Sequence, residues 1–185
     1  MTKQIVLASS SPRRQKILQE NGYNFEVIKP DVEEVFLKSA KETVLENARR
    51  KAEQVFKQNN DKIVIASDTV VCLDDKIIGK PENLKEAQET LTLLSGKAHE
   101  VLTAVSVRSE NFMKDFHESS RVFFKVLDAK DIEKYFQLCN PLDKAGSYNI
   151  DEHGEMIIEK IEGSYENIMG LPIGELKKIL KKLIF

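Results

Sequence analysis

The chain is predicted to fold as an α/β protein in which helices cover a sheet. Short β-rich apolar runs alternate along it with longer stretches of helical period. Hydrophobic residues make up 41% and charged residues 31%, the balance of a chain that buries a core rather than one that stays disordered. With 185 residues, one domain spanning 1–185 is expected, large enough to bury most of the surface its unfolded form exposes.

In chain order, residues 4–8 read as a buried strand, 9–11 as a turn and 12–20 as a helix, with Ser11 at the N-cap and Pro12 at the first helical position. Residues 24–28 read as a second strand. A helix over 41–57 places Val44, Leu45, Ala48, Ala52 and Val55 at helical spacing. Residues 62–66 form a short apolar strand that delivers Ser67, Asp68 and Thr69 at its carboxyl end, where ligands bind in α/β sheets. The helix over 82–94 is closed by Ser95 and Gly96. Residues 101–107 and 121–126 alternate as long antiparallel strands joined by the polar stretch 109–119. Residues 128–136 are helical, and the terminal run sets Ile173, Leu176, Ile179, Leu180 and Leu183 on one stripe with lysines opposite.

Composition narrows the function classes. Lys plus Arg number 28 against 30 Asp plus Glu, a net charge of −2, so no global positive field draws nucleic acid or an anionic membrane, and any polyanion site is local. Cys72 and Cys139 are the two cysteines and form no CxxC, which suggests a reducing compartment, the cytoplasm. The apolar run near the amino terminus is too short for a secretory signal, and nowhere do 18 apolar residues run together, so export and membrane spanning are not expected. The lysine-rich terminal helix packs its apolar stripe on the sheet more simply than on a membrane.

Three constellations carry candidate chemistry. In ASSSPRR a strand ends in small hydroxyl residues, and a Pro-started helix follows with Arg13 and Arg14. A helix amino terminus offers free N–H groups and guanidinium forks grip phosphate oxygens, although a well-capped helix with two solvated arginines reads the same. In IVIASDTVV the carboxylate of Asp68 lies between apolar strand residues at a sheet edge. It reads either as a metal ligand or general base, or as a turn cap through the Thr69 and Val70 amides. Lys51 and Lys80 are separated bases, Lys80 held in the turn-like IIGKPEN. Glu33 and Glu34 follow a predicted strand, as a solvated loop or a further metal carboxylate. His99, His117 and His153 have no zinc spacing, and GxSxG, Walker A and GxGxxG are absent.

Together, LASSSPRRQKIL, ENARRKA, ASDTVV, IIGKP, LSGKAHEVLTAV, DKAGSYNI and EGSYENIMGLPIGEL, in that order from Leu7 to Leu176, resemble the Maf family of nucleoside triphosphate pyrophosphatases. The resemblance implies a mixed, elongated sheet flanked by helices, two lobes around a cleft, an architecture related to inosine triphosphatase, and a homodimer. It implies hydrolysis between the α and β phosphates with a divalent cation, Mg²⁺ or Mn²⁺, and cellular roles in clearing noncanonical nucleotides and restraining septum formation. Carried over by position, it makes Asp68 the proton acceptor and, with Glu34, a metal-site residue. Ser9, Arg14, Lys51 and Lys80 become phosphate-site residues. A nucleotide-responsive division regulator acting through a protein partner is the competing reading.

The resemblance also bears on the base. The subgroup acting on dTTP and UTP carries Arg, Thr and Gln where this chain has Arg13, Thr69 and Asp151. A Gln amide both donates and accepts, whereas an ionised Asp151 only accepts. The subgroup resembling 7-methyl-GTP hydrolases has a carboxylate there, paired with Trp and Gln in place of Arg13 and Thr69. Pyrimidine triphosphates are therefore expected, with Asp151 as the departure and Glu152 next to it as a substitute if the loop shifts.

Overall fold

The computed structural model describes residues 3–184, so positions 1–2 and 185 of the predicted domain lie outside the described residues. Seven strands form one mixed sheet in the order β2-β1-β3-β5-β6-β7, with β4 added to β3. β1 (Ile5–Ala8) pairs in parallel with β2 (Phe25–Val27) and with the start of β3 (Ile63–Leu73), while β5 (Ala98–Ser109), β6 (Phe112–Phe124) and β7 (Ile158–Glu162) add antiparallel. The helices are α1 (Pro12–Glu20), α2 (Ala40–Phe56), α3 (Leu84–Leu94), α4 (Ala129–Leu138), α5 (Tyr165–Ile168) and α6 (Ile173–Ile184). The mixed sheet flanked by helices that the sequence predicts is the fold that forms. Among the described residues no helix is long and apolar enough to cross a membrane.

Period-two alternation in β3 distributes the core. Ile63 and Ile65 pack with Ile17, Leu18, Leu176 and Leu180 of α1 and α6, and Val71 and Leu73 pack with Leu91, Leu94 and Tyr135 of α3 and α4. Val64, Ala66, Val70 and Cys72 point to the other face and meet Val44, Ala48, Ala52 and Val55 of α2. The predicted stripe of α6 is buried at Ile173, Leu176, Ile179 and Leu180, which accounts for that helix on the sheet.

Three local expectations change. The strand predicted over 62–66 runs on to Leu73, because β5 pairs with it continuously from Val64 to Cys72. Asp68 therefore lies in mid-strand, in the centre of the sheet and not at its edge, opposite Ala104. The turn-like region after it contains β4 (Lys76–Ile78), reached through Asp74 and Asp75, both at positive φ in a tight hairpin. The polar stretch 109–119 belongs mostly to β6, which meets β5 across the two-residue turn at Glu110 and Asn111. β7 pairs only with Arg121–Phe124, so the first half of β6 runs along the sheet margin and carries polar side chains.

Candidate active site

A break in strand pairing makes the site. On one edge of β3, pairing with β1 ends at Ala66 and pairing with β4 begins at Val71, while β5 covers the opposite edge throughout. Ser67 to Val70 thus have no strand on that edge, and a cleft of about 600 Å³ lined by Asp68 and Thr69 opens there. The cleft is lined by Ser9, Arg13, Arg14, Glu34, Lys51, Asp68, Thr69 and Lys80, eight of the nine positions the sequence singled out.

Alternation splits these side chains between two faces. Asp68 has the parity of the α2-facing residues, 5% exposed, and its Oδ1 accepts from Lys51 Nζ at 2.6 Å. The same ammonium donates to Glu34 Oε1 at 2.6 Å, so one buried lysine bridges two carboxylates. Burial pushes the Glu34 carboxyl up, but the Lys51 hydrogen bond and charge, helped by Lys80 and Arg14, outweigh it and hold Glu34 below its ordinary value. Glu34 is therefore anionic at neutral pH.

Ser67 and Thr69 face the other way, towards Arg14. Its Nη1 donates to Ser67 O at 2.9 Å and to Ser9 Oγ at 3.2 Å, its Nε to Gly170 O at 3.0 Å and its Nη2 to Thr69 Oγ1 at 3.1 Å. Four of the five guanidinium N–H groups are thus used within the protein, one of them on a carbonyl left bare by the missing strand. Burial lowers the Arg14 pKa, Asp68 and Glu34 oppose that, and Arg13 adds to it. Thr103 donates to Asn167 O at 2.8 Å, so its 3.0 Å contact with Thr69 requires Thr69 to donate. Ser9 accepts from Ser11 N and from Arg14, each at 3.2 Å, which leaves its O–H to donate to a cleft acceptor such as a phosphate oxygen. Ser11 occupies the N-cap position of α1 without a side-chain cap bond, so its hydroxyl does not shield the helix terminus facing the cleft.

Asp151 is the one predicted site residue that does not line the cleft. Residues 151–153 form a turn, with His153 in the left-handed region at φ 55°. Glu152 lines the cleft instead, beside Asn149, whose Oδ1 accepts from Arg13 Nη1 at 2.8 Å. Asp151 Oδ1 is buried without a hydrogen-bond partner, and the Asp151 charge adds to the burial that pushes the Tyr165 phenol up.

Sequence reasoning also passed over Lys29, Lys144, Tyr148, Asn149 and Asn47. The first four line the cleft, and three of them lie inside the DKAGSYNI block, which was available as a signal. Asn47 sits one helical turn before Lys51 in ENARRKA. It is 2% exposed and donates to Asp68 Oδ2 at 3.3 Å. Its spacing of four from Lys51 puts both on one helix face, the signal the sequence held, while the bond to Asp68 is made by tertiary approach.

Residues 28–39 have no regular secondary structure, and they are fastened to α2 by side chains at helical spacing. Thr43 Oγ1 accepts from Leu37 N, Asn47 binds Val35 through both its N–H and C=O, Lys51 holds Glu34, and Gln54 binds Asp31 through both backbone groups. Thr43, Asn47 and Lys51 are buried beside the apolar row Val44, Ala48, Ala52 and Val55. One helix thereby packs the sheet with one row and holds the Glu34 strap with the next.

The family model described as Maf-like protein matches residues 4–183. A protein of Akkermansia muciniphila named dTTP/UTP pyrophosphatase is 44% identical over 99% of this chain and 98% of its own. Proteins of the same name from Thermotoga maritima and Bacillus cereus are 48% and 41% identical, covering 92% and 97% of this chain and 84% and 90% of theirs. The solved protein VC0702 from Vibrio cholerae is 12% identical with a TM-score of 0.35 over 73% of this chain and 66% of that one, too slight a likeness to add anything. With the family model covering nearly every residue and the cleft built from the family-like segments, the chain belongs to the Maf family.

Proposed function

We propose that this chain hydrolyses nucleoside triphosphates between the α and β phosphates, releasing nucleoside monophosphate and pyrophosphate, with dTTP, UTP or modified pyrimidine nucleotides favoured. The observation that carries the reading is the cleft in which Asp68 and Glu34 lie among Arg13, Arg14, Lys29, Lys51, Lys80 and Lys144. Relatives at 41–48% identity bearing the name dTTP/UTP pyrophosphatase support it. The reading includes a cytoplasmic homodimer acting on free nucleotides and not on nucleic acid or membranes. A net charge of −2 agrees with that choice of substrate.

Asp68 takes the proton from the water that attacks the α-phosphorus. The new bond forms from that water oxygen, the bond from phosphorus to the bridging oxygen breaks, and pyrophosphate leaves with the electron pair. Lys51 has one N–H left after binding Asp68 and Glu34, and turns it to a phosphate oxygen. Ser9 donates its remaining O–H, while Lys80, Lys29 and Arg13 offset the triphosphate charge in a partly water-excluded cleft. Arg14 is chiefly a clamp, with one N–H free for substrate.

The same donor set fits a divalent cation. Glu34 and Asp68 converge on one ammonium and so retain a net negative charge, and their hard oxygens suit Mg²⁺ or Mn²⁺. Among the described residues no group of three or more His, Cys, Asp and Glu side chains is gathered to hold an ion, so phosphate oxygens of the substrate would complete the shell. When bound, the cation supplies charge neutralisation to the triphosphate. In a pyrophosphate-release assay, Asp68→Asn is expected to lose at least about 10²-fold in turnover with its circular dichroism unchanged. Near-wild-type turnover in that variant removes Asp68 as the base.

A further inference from the structure

We propose that Asn47 is a positioning residue for this hydrolysis, fixing the carboxylate plane of Asp68 and tying to it the strap that carries Glu34. The proposal rests on the reading of Asp68 as the general base. Asn47 Oδ1 accepts from Val35 N at 2.8 Å, and Nδ2 donates to Val35 O at 3.1 Å and to Asp68 Oδ2 at 3.3 Å. An N–H can only donate and a carbonyl can only accept, so the Val35 backbone permits one orientation of the amide. In that orientation the NH₂ end faces Asp68.

Both oxygens of Asp68 are then held from α2, Oδ1 by Lys51 and Oδ2 by Asn47, residues one helical turn apart. A carboxylate held at one oxygen pivots about that bond, and one held at both keeps its plane. The lone pairs not engaged stay directed into the cleft, where the attacking water has to be met in line with the α-phosphorus. Asn47 is 2% exposed, so no solvent molecule stands in for it when the amide is removed.

Thr43 provides the control. It fastens the same strap at Leu37, at 2.9 Å, without a hydrogen bond to Asp68. Steady-state pyrophosphate release is measured for the wild type, Asn47→Leu, Asn47→Asp and Thr43→Val, with thermal midpoints alongside. Asn47→Leu removes every amide bond, whereas Asn47→Asp keeps an acceptor for Val35 N–H and turns an oxygen towards Asp68. Both are expected to lower kcat on the order of tenfold or more, the loss typical of removing a partner that orients a catalytic group, with a much smaller change in KM. Thr43→Val is expected to keep kcat.

Wild-type kcat in both Asn47 variants overturns the proposal, and so does an equal fall in Thr43→Val, which would assign the effect to the strap alone. Should Asn47→Leu fail to fold, Asn47→Asp decides by the same criterion. A wild-type chain that releases no pyrophosphate overturns the functional reading and this inference with it, an outcome distinct from an active wild type with indifferent Asn47 variants.

Discussion

Asp151 and Glu152 are adjacent in the chain, yet Glu152 lines the cleft and Asp151 lies off it with Oδ1 buried and unpartnered. Arg13, with N–H groups left beyond its bond to Asn149, can donate to a base carbonyl, and the Glu152 carboxylate, when ionised, can only accept. A donor beside an acceptor matches the O4 and N3–H edge of uracil and thymine and the O6 and N1–H edge of guanine, but guanine alone adds an N2–H, which the second carboxylate oxygen accepts and a Gln NH₂ cannot. Glu152→Gln is therefore expected to change the kcat/KM ratio between UTP and GTP by about five- to tenfold, the worth of one hydrogen bond. Asp151→Asn is expected to leave that ratio alone. Matching substrate profiles for Glu152→Gln and the wild type would discard Glu152 as a reader. The sequence made the rest of the site legible through the family resemblance of seven segments in order, since ASSSPRR and IVIASDTVV taken singly also read as a helix cap and a turn cap. At position 151 the structure departs from that expectation, because the turn over residues 151–153 brings Glu152 rather than Asp151 to the cleft.

At the scale of elements, the Arg14 clamp joins three of them: α1, the unpaired stretch of β3 and the connection from α5 to α6. Gly170 closes the clamp. It sits at φ 100°, and a Cβ there would lie 3.1 Å from Arg14 Nε and from Thr69 Oγ1. Gly22 shares the left-handed region at φ 78° with nothing within 4 Å of an added Cβ. Gly22→Ala is expected to lose about 1 kcal/mol from backbone conformation alone, and Gly170→Ala more than that. Only Gly170→Ala is expected to lower kcat/KM as well, since only there does the new methyl displace cleft residues. Equal destabilisation and unaltered activity in both variants would show that the clamp tolerates displacement. The polar row of α2 is the other device at this scale. Helical period predicted α2 and its apolar face, but nothing in the sequence says that Thr43, Asn47 and Lys51 bind a strap of irregular backbone, because that pairing is made through tertiary approach.

In the molecule as a whole, His99 shows how the interior constrains titration. It is 2% exposed, edge-on to Phe124 and Tyr148 with centroids 4.9 and 5.4 Å away, and its Nε2 is 2.8 Å from Tyr148 Oη. Burial lowers its pKa from 6.5 to about 4. The folded value lies below the unfolded one, so the stability from a neutral His99 is complete above pH 6.5 and is lost as pH falls through about 4, roughly 3 kcal/mol in all. Thermal midpoints recorded from pH 7 to 4 are expected to fall along this window and to fall less steeply in His99→Gln; parallel curves would count against it. By itself the sequence determined the helix–strand alternation, the apolar faces and the family-like segments, and eight of the nine positions it singled out line the cleft, since period and short motifs are local properties of the chain. Only the tertiary structure decided that β3 continues past Asp68 with one edge bare, that Lys51 and Asn47 hold its two carboxylate oxygens, and that Glu152 replaces Asp151 at the cleft. Those outcomes depend on which strand stops first and which helix lies over the gap, and such relations between residues distant in sequence are set by packing rather than by local propensity.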